Sequence, residues 1–246
     1  MITTIALREF RALFLTPLAW VILAISQMIL SWVFFSQIDN FFIVQDKLTT
    51  MKNAPGVTDL VITPVLEIAS IMLLMITPLL TMRLLSEEKR NGTLNLLLSS
   101  PISVADIILG KFLGIVLFML LFVGLISLMP LSLLLGADLD LGKLAAGLLG
   151  LTLMLCSFSA AGLYLSSLTS NPTIAAISTF GLLLLLWIID RGADSDSVLS
   201  YISMTSHFLP MMHGIIDSVD ITYFALFIST FLLLSIRQMD AQRLQQ

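Results

Sequence analysis

Charge is what this sequence has least of. Only 11% of its 246 residues are Asp, Glu, Lys or Arg, against about 25% in soluble domains. A soluble fold of this length has no means of hiding so much apolar surface. Disorder is excluded too, because disordered chains are polar and charge-rich. The lone cysteine, Cys156, excludes a disulfide scaffold. The 12 Lys and Arg fall short of the 16 Asp and Glu, so there is no basic patch for nucleic acid. Both histidines, His207 and His213, flank Met211 and Met212. Imidazole and thioether suit copper, but the spacing matches no metal signature, and methionine is a common apolar filler.

What remains is apolar: 58% of the residues are hydrophobic and the mean hydropathy is +1.03. The expected fold class is all-α, a polytopic membrane protein forming one bundle. A cleavable signal peptide is not expected. The first apolar run, after Arg11, stays uncharged to Ile38, longer than the roughly 7–15 residues of a signal core.

A hydrocarbon layer of about 30 Å needs about 20 apolar helical residues. Six spans are read, at 16–36, 64–85, 107–128, 144–168, 173–189 and 221–236. The fourth and fifth are separated by the polar, proline-ended turn Thr169-Ser170-Asn171-Pro172. With the N-terminus in the cytoplasm, that side holds Arg8, Arg11, Arg83, Lys89, Arg90, Lys111, Arg237 and Arg243. The other side holds Lys47, Lys52, Lys143 and Arg191. This asymmetry obeys the positive-inside rule, and an even number of spans returns the C-terminus to the cytoplasm.

Residues 1–15 pattern as an amphipathic helix on the inner leaflet. Ile5, Leu7, Phe10, Leu13 and Phe14 are apolar, and Arg8, Glu9 and Arg11 polar. The plainer alternative is an N-terminal extension of the first span. Thr16-Pro17 turns the chain into that span. The outer segment 37–63 is partly helical, with a break at Asn53-Ala54-Pro55-Gly56. Residues 190–220 are too interrupted to span and are read as an interfacial or re-entrant outer segment.

Glu67, near the outer end of span two, is a functional candidate by default; the alternative is an interfacial or protonated carboxyl. Lys111, one turn into span three, is expected to snorkel to the inner surface. Asp106 suits the start of that helix, and Ser103 or Asp106 can cap it. Gly110 and Gly114 form a small-residue helix-packing pattern; Gly147 and Gly150 are a weaker one.

The most informative stretch lies between spans two and three, at 86–103. It places Glu87, Glu88, Lys89 and Arg90 before Gly92-Thr93, then Leu96-Leu97-Leu98, Ser100-Pro101 and, further on, Gly110-Lys111-Phe112. Gly92-Thr93 can break and re-cap a helix. A short leucine-rich helix outside the bilayer needs a lipid surface or a protein partner to cover it.

This stretch resembles the first cytoplasmic loop of the type-2 ABC transporter permeases, in its acid pair, basic pair, Gly-Thr, leucine turn, Ser-Pro and Gly-Lys. The likeness extends over most of the chain and is nearest to gliding-motility GldF-like permeases. Copper-maturation NosY-like permeases and polysaccharide or drug exporters share the same loop. The resemblance implies a type-2 exporter (type V) fold in a bacterial inner membrane. It implies a half-transporter that pairs with a second permease and docks a cytosolic ABC ATPase. The residues it implies for ATPase coupling are Glu87, Glu88, Gly92, Thr93, Leu96, Leu97, Ser100 and Pro101. ATP and Mg would be bound by the partner ATPase, with no cofactor in this chain. Membrane lipid and an outer auxiliary protein complete the implied partners.

No ATPase is expected in the chain itself. A P-loop needs Gly, four residues, then Gly-Lys-Ser/Thr; Gly110-Lys111 and Gly142-Lys143 lack both the earlier glycine and the hydroxyl residue. An intramembrane enzyme is also disfavoured. The chain has no His-Glu-x-x-His and no Gly-x-Ser-x-Gly. A scaffold that anchors a cytosolic ATPase and transmits force stays open beside transport. Strongly apolar spans favour a lipidic cargo or force transmission over an ion or sugar.

Overall fold

The computed structural model describes residues 1–48, 55–94, 102–136, 139–192 and 203–243. Every regular element among them is helical. In chain order these are α1 (Ile2–Leu15), α2 (Pro17–Leu48), a π-turn (Thr58–Ile62), α3 (Thr63–Thr81), α4 (Ser86–Arg90) and α5 (Val104–Ser132). They continue with a 3-10 turn (Leu133–Leu135), α6 (Leu141–Leu168), α7 (Pro172–Gly192), α8 (Met204–Met212) and α9 (Ser218–Arg243). Among the described residues, six stretches are long and apolar enough to cross a membrane, with α2, α5, α6, α7 and α9 each supplying one and Thr58–Arg90 the sixth.

Several helices run beyond the apolar windows. α2 continues past Ser36 to Leu48 because no glycine or proline interrupts 37–48. The second crossing stretch, Thr58–Arg90, runs from the π-turn through α3 and the turn at 82–85 to α4, so it begins before and ends after the apolar window 64–85. Hydropathy marks the buried middle of a membrane helix, whereas breakers and caps mark its ends.

α6 is the central helix. Two thirds of its apolar window is buried (67%), against 22% for α7 and α9. It packs against α3, α5, α7, α8 and α9. Small residues allow that: a Cβ on Gly162 would lie 2.7 Å from Thr81 Cβ, and one on Gly147 would lie 2.6 Å from Leu66 Cδ1. The turn after α6 is closed locally. Asn171 N–H donates to Thr169 Oγ1 (3.1 Å), and Thr173 N–H donates to Asn171 Oδ1 (3.0 Å), which caps α7 as polar side chains cap helix starts.

α1 lies across the start of α5 and makes its largest contact there. Gly110 and Gly114 are the reason. A Cβ on Gly110 would stand 2.7 Å from Ile5 Cβ, and one on Gly114 would stand 2.7 Å from Glu9 Cβ and 2.9 Å from the Ala6 carbonyl. The small-residue pair thus seats α1, not a neighbouring span. The face that α1 turns to the bundle carries Ile5, Ala6, Glu9, Phe10 and Leu13, while Leu7 is 46% exposed. Glu9 sits inside the packed stripe although it is charged.

Candidate functional site: the α4 junction

α3 ends at Thr81, and residues 82–85 form a turn before α4. The turn leaves backbone groups without helical partners, and Ser166 of α6 takes them. Its hydroxyl accepts from the N–H groups of Leu85 and Ser86, both at 3.1 Å, and donates to the Met82 carbonyl at 3.1 Å. Ser86 Oγ also donates to Met82 O. Lys89 Nζ donates to the Ser167 carbonyl, a cation on the C-terminal carbonyls of α6, where a helix favours one. α4 is thereby clipped to the end of the central helix. Ser166→Ala should therefore leave buried N–H groups unpaired and cost about 1–3 kcal/mol, read as a lowered melting midpoint in detergent.

A second attachment is ionic. Lys111 is 1% exposed. Its ammonium does not snorkel to the surface; it donates to Glu88 Oε1 of α4 at 2.7 Å and to Glu9 Oε1 of α1 at 3.0 Å. Packing of α1 over Gly110 and Gly114 closes the route outward, and two carboxylates meet the charge inside instead. Arg8 stands 3.9 Å from Glu88 and 3.5 Å from Glu9, so two cations face two carboxylates. The two bonds from Lys111 are short and charge-assisted, and such bonds are the strong ones. One ammonium thus joins α1, α4 and α5.

The residues that the resemblance implies for ATPase coupling fall in two groups, those described and those not. Glu88 is within this network, while Glu87 is half-buried beside it, its carboxylate making no ion pair or hydrogen bond among the described residues. Gly92 ends α4 with φ +70°, a left-handed value natural to glycine. Thr93 Oγ1 reaches back to the Glu88 carbonyl at 3.3 Å. Leu96, Leu97, Ser100 and Pro101 lie outside the described residues. Ser103 caps α5, accepting from Asp106 N–H at 3.1 Å.

Sequence reasoning missed Lys111, Glu9 and Ser166 as members of the site. A signal existed for two of them. Glu9 interrupts the apolar stripe of α1, and Lys111 interrupts that of α5. Single opposite charges in two apolar faces are a pairing pattern. Ser166 carried no comparable signal.

The other end of the bundle is tied by different groups. Lys143 Nζ pairs with Asp59 at 2.9 and 3.1 Å, and Asp140 N–H donates to Thr58 Oγ1 at 3.1 Å. His207 Nδ1 lies 2.7 Å from Asp220 Oδ1, and its ring stacks on Tyr223 with centroids 4.1 Å apart, joining α8 to α9. His207→Leu should strand the Asp220 carboxylate. The expected outcome is faster proteolysis between α8 and α9, by a few-fold, checked by limited digestion. Glu67 is exposed on α3 and borders a small crevice with Ser70, Trp187, Thr205 and Leu209.

No curated protein matches the chain. The family pattern described as ABC-2 family transporter protein matches residues 3–222, which takes in α1, the α4 junction and the helices through the start of α9. The chain belongs to the ABC-2 transporter family and is of the kind that forms the membrane subunit of an ABC transporter.

Proposed function

We propose that the chain is the permease subunit of an ATP-driven exporter, pairing with a second permease and docking a cytosolic ATPase through the segment 86–103. ATP binding and hydrolysis then reside in the partner chain, and the α1 end of the bundle faces the cytoplasm of a bacterial inner membrane. Among permeases of the family, the gliding-motility and copper-maturation groups are the nearest in pattern. What supports the reading is the α4 junction. α4 leads directly into the loop that would meet the ATPase, and Glu88 binds the Lys111 ammonium that also holds α1. A displacement of that loop is delivered at once to the α3 turn, to the start of α5, to α1 and to the end of α6. Rigid-body rocking of packed helices is the expected response. We assign residues 190–220, of which 193–202 lie outside the described residues and which include α8, to an outer re-entrant segment, and Glu67 to a contact with the polar part of the cargo.

Capture of the chain in gentle detergent, with mass-spectrometric identification of partners, tests the first part. A P-loop ATPase should be recovered; an intact bundle that recovers none overturns the proposal. Glu88→Gln, which leaves Lys111 paired with Glu9, should keep the ATPase bound. It should lower permease-stimulated ATP turnover about tenfold, the weight of one charged hydrogen bond. Unchanged stimulation would remove Glu88 from the coupling path.

A further inference from the structure

A cleft of about 310 Å³ opens between α1, the start of α2 and the α3–α4 turn. Its wall has an apolar part, with Leu18, Leu79 and Leu84, and a charged part, with Arg8, Arg83 and Glu87. Lys111, Glu9 and Glu88 also border it and are joined to one another through Lys111 Nζ, by one oxygen of each carboxylate. Arg83 and Glu87 are different: among the described residues neither side chain makes an ion pair or hydrogen bond. Glu88 Oε2, buried at the same cleft, has no hydrogen-bond partner either.

A cleft that presents an unpaired guanidinium, an unpaired carboxylate and a leucine wall is matched to a zwitterionic amphiphile. Guanidinium groups favour phosphate, which they grip through a planar fork of donors. A carboxylate beside it favours an ammonium and disfavours a second anion. The volume is at the small end of ligand sites, which run from about 300 to 1,000 Å³. It holds a head group but not its chains. Leu79, 42% exposed at the rim, carries the apolar surface outward along α3 toward the hydrocarbon. α1, with its apolar face and basic residues, has the pattern of a helix lying at the head-group boundary. We infer that the cleft between α1 and the α3–α4 turn binds the head group of a zwitterionic phospholipid, with its phosphate on Arg83 and Arg8, its ammonium on Glu87, and its chains along Leu79. The phosphate and ammonium could also come from a free phosphoethanolamine, but a soluble zwitterion leaves the leucine wall uncovered. This goes beyond the proposed ATPase docking and does not depend on it.

The test uses the full chain with the subunits that co-purify in gentle detergent, delipidated and examined by native mass spectrometry. Phosphatidylethanolamine and phosphatidylglycerol of matched chains are added in turn, and glycerophosphoethanolamine serves as the free head-group competitor. Wild type should hold phosphatidylethanolamine about tenfold more tightly than phosphatidylglycerol, the effect of one well-placed charge pair. Arg83→Gln should weaken both lipids, and Glu87→Gln should abolish only the preference between them. Leu79→Trp alters no charge and should exclude both by filling the slot, which guards against a charge variant that merely unfolds. Equal retention in wild type, Arg83→Gln and Leu79→Trp overturns the inference, as does equal affinity for the two lipids in wild type. Displacement by glycerophosphoethanolamine at equal concentration reassigns the site to a soluble zwitterion. Binding that appears only after a co-purified ATPase is removed reassigns the cleft to the protein partner. Because the readout is bound lipid and not ATP turnover, a negative result leaves the coupling proposal standing.

Discussion

Lys111→Met should cost about 3 kcal/mol of stability, the lower range for breaking a buried ion pair by removing one partner. The lower range applies because the Glu9 and Glu88 side chains keep 14% and 18% exposure. The penalty comes from two carboxylates left without their ammonium, more than from the lost attraction itself. The variant Lys111→Met with Glu9→Gln and Glu88→Gln should therefore recover most of the stability, since neutral amides replace the stranded charges. It should not recover stimulation of ATP turnover, because the link from α4 to α5 and α1 is gone. Thermal unfolding in detergent reads the first effect, and turnover of the reconstituted complex reads the second. Stability and stimulation returning together in the triple variant would mean that the ion cluster is only a packing device.

Gly162→Leu should have the other large effect. A Cβ there already falls 2.7 Å from Thr81 Cβ and 2.9 Å from its Cγ2, and both residues are on the inner faces of α3 and α6. Overpacking a closed contact costs about 1–3 kcal/mol, and leucine stands at the upper end. The damage should spread, because Ser166, which satisfies the backbone of residues 82–86, is one helical turn beyond Gly162. α3 pushed away from α6 loses those bonds as well. The expected result is a large drop in melting midpoint together with loss of ATPase capture. Gly162→Ala combined with Thr81→Gly should restore most of both, since the second change removes the Cβ, Oγ1 and Cγ2 that the first would strike. Failure of that pair to recover the midpoint would place the strain elsewhere.

The helical class and the six crossing stretches were legible in the sequence because hydrophobic length is a one-dimensional property. The turn at 169–172 and the Ser103 cap were legible for a similar reason, since each is completed by residues within four positions of one another. Helix ends elsewhere were less so. Between 37 and 48 nothing breaks the helix, and polarity by itself does not end one.

The site shows where such reading stops. Glu88 stood out as part of an acid-basic run followed by Gly-Thr, but its direction did not. Lys111 looked like a residue that reaches the surface, one turn inside a span. Its fate depends on α1, which begins more than a hundred residues earlier and covers it over Gly110 and Gly114. Ser166 resembles any other small polar residue of a membrane helix until the turn at 82–85 comes to rest against it. By itself the sequence determined the apolar spans, their breaks and the loop that carries the family pattern, because those depend on neighbours along the chain. Only the tertiary structure decided which charges meet and which hydroxyl closes the turn, because a buried charge or unpaired amide is satisfied by whatever the packing of distant helices brings within 3 Å.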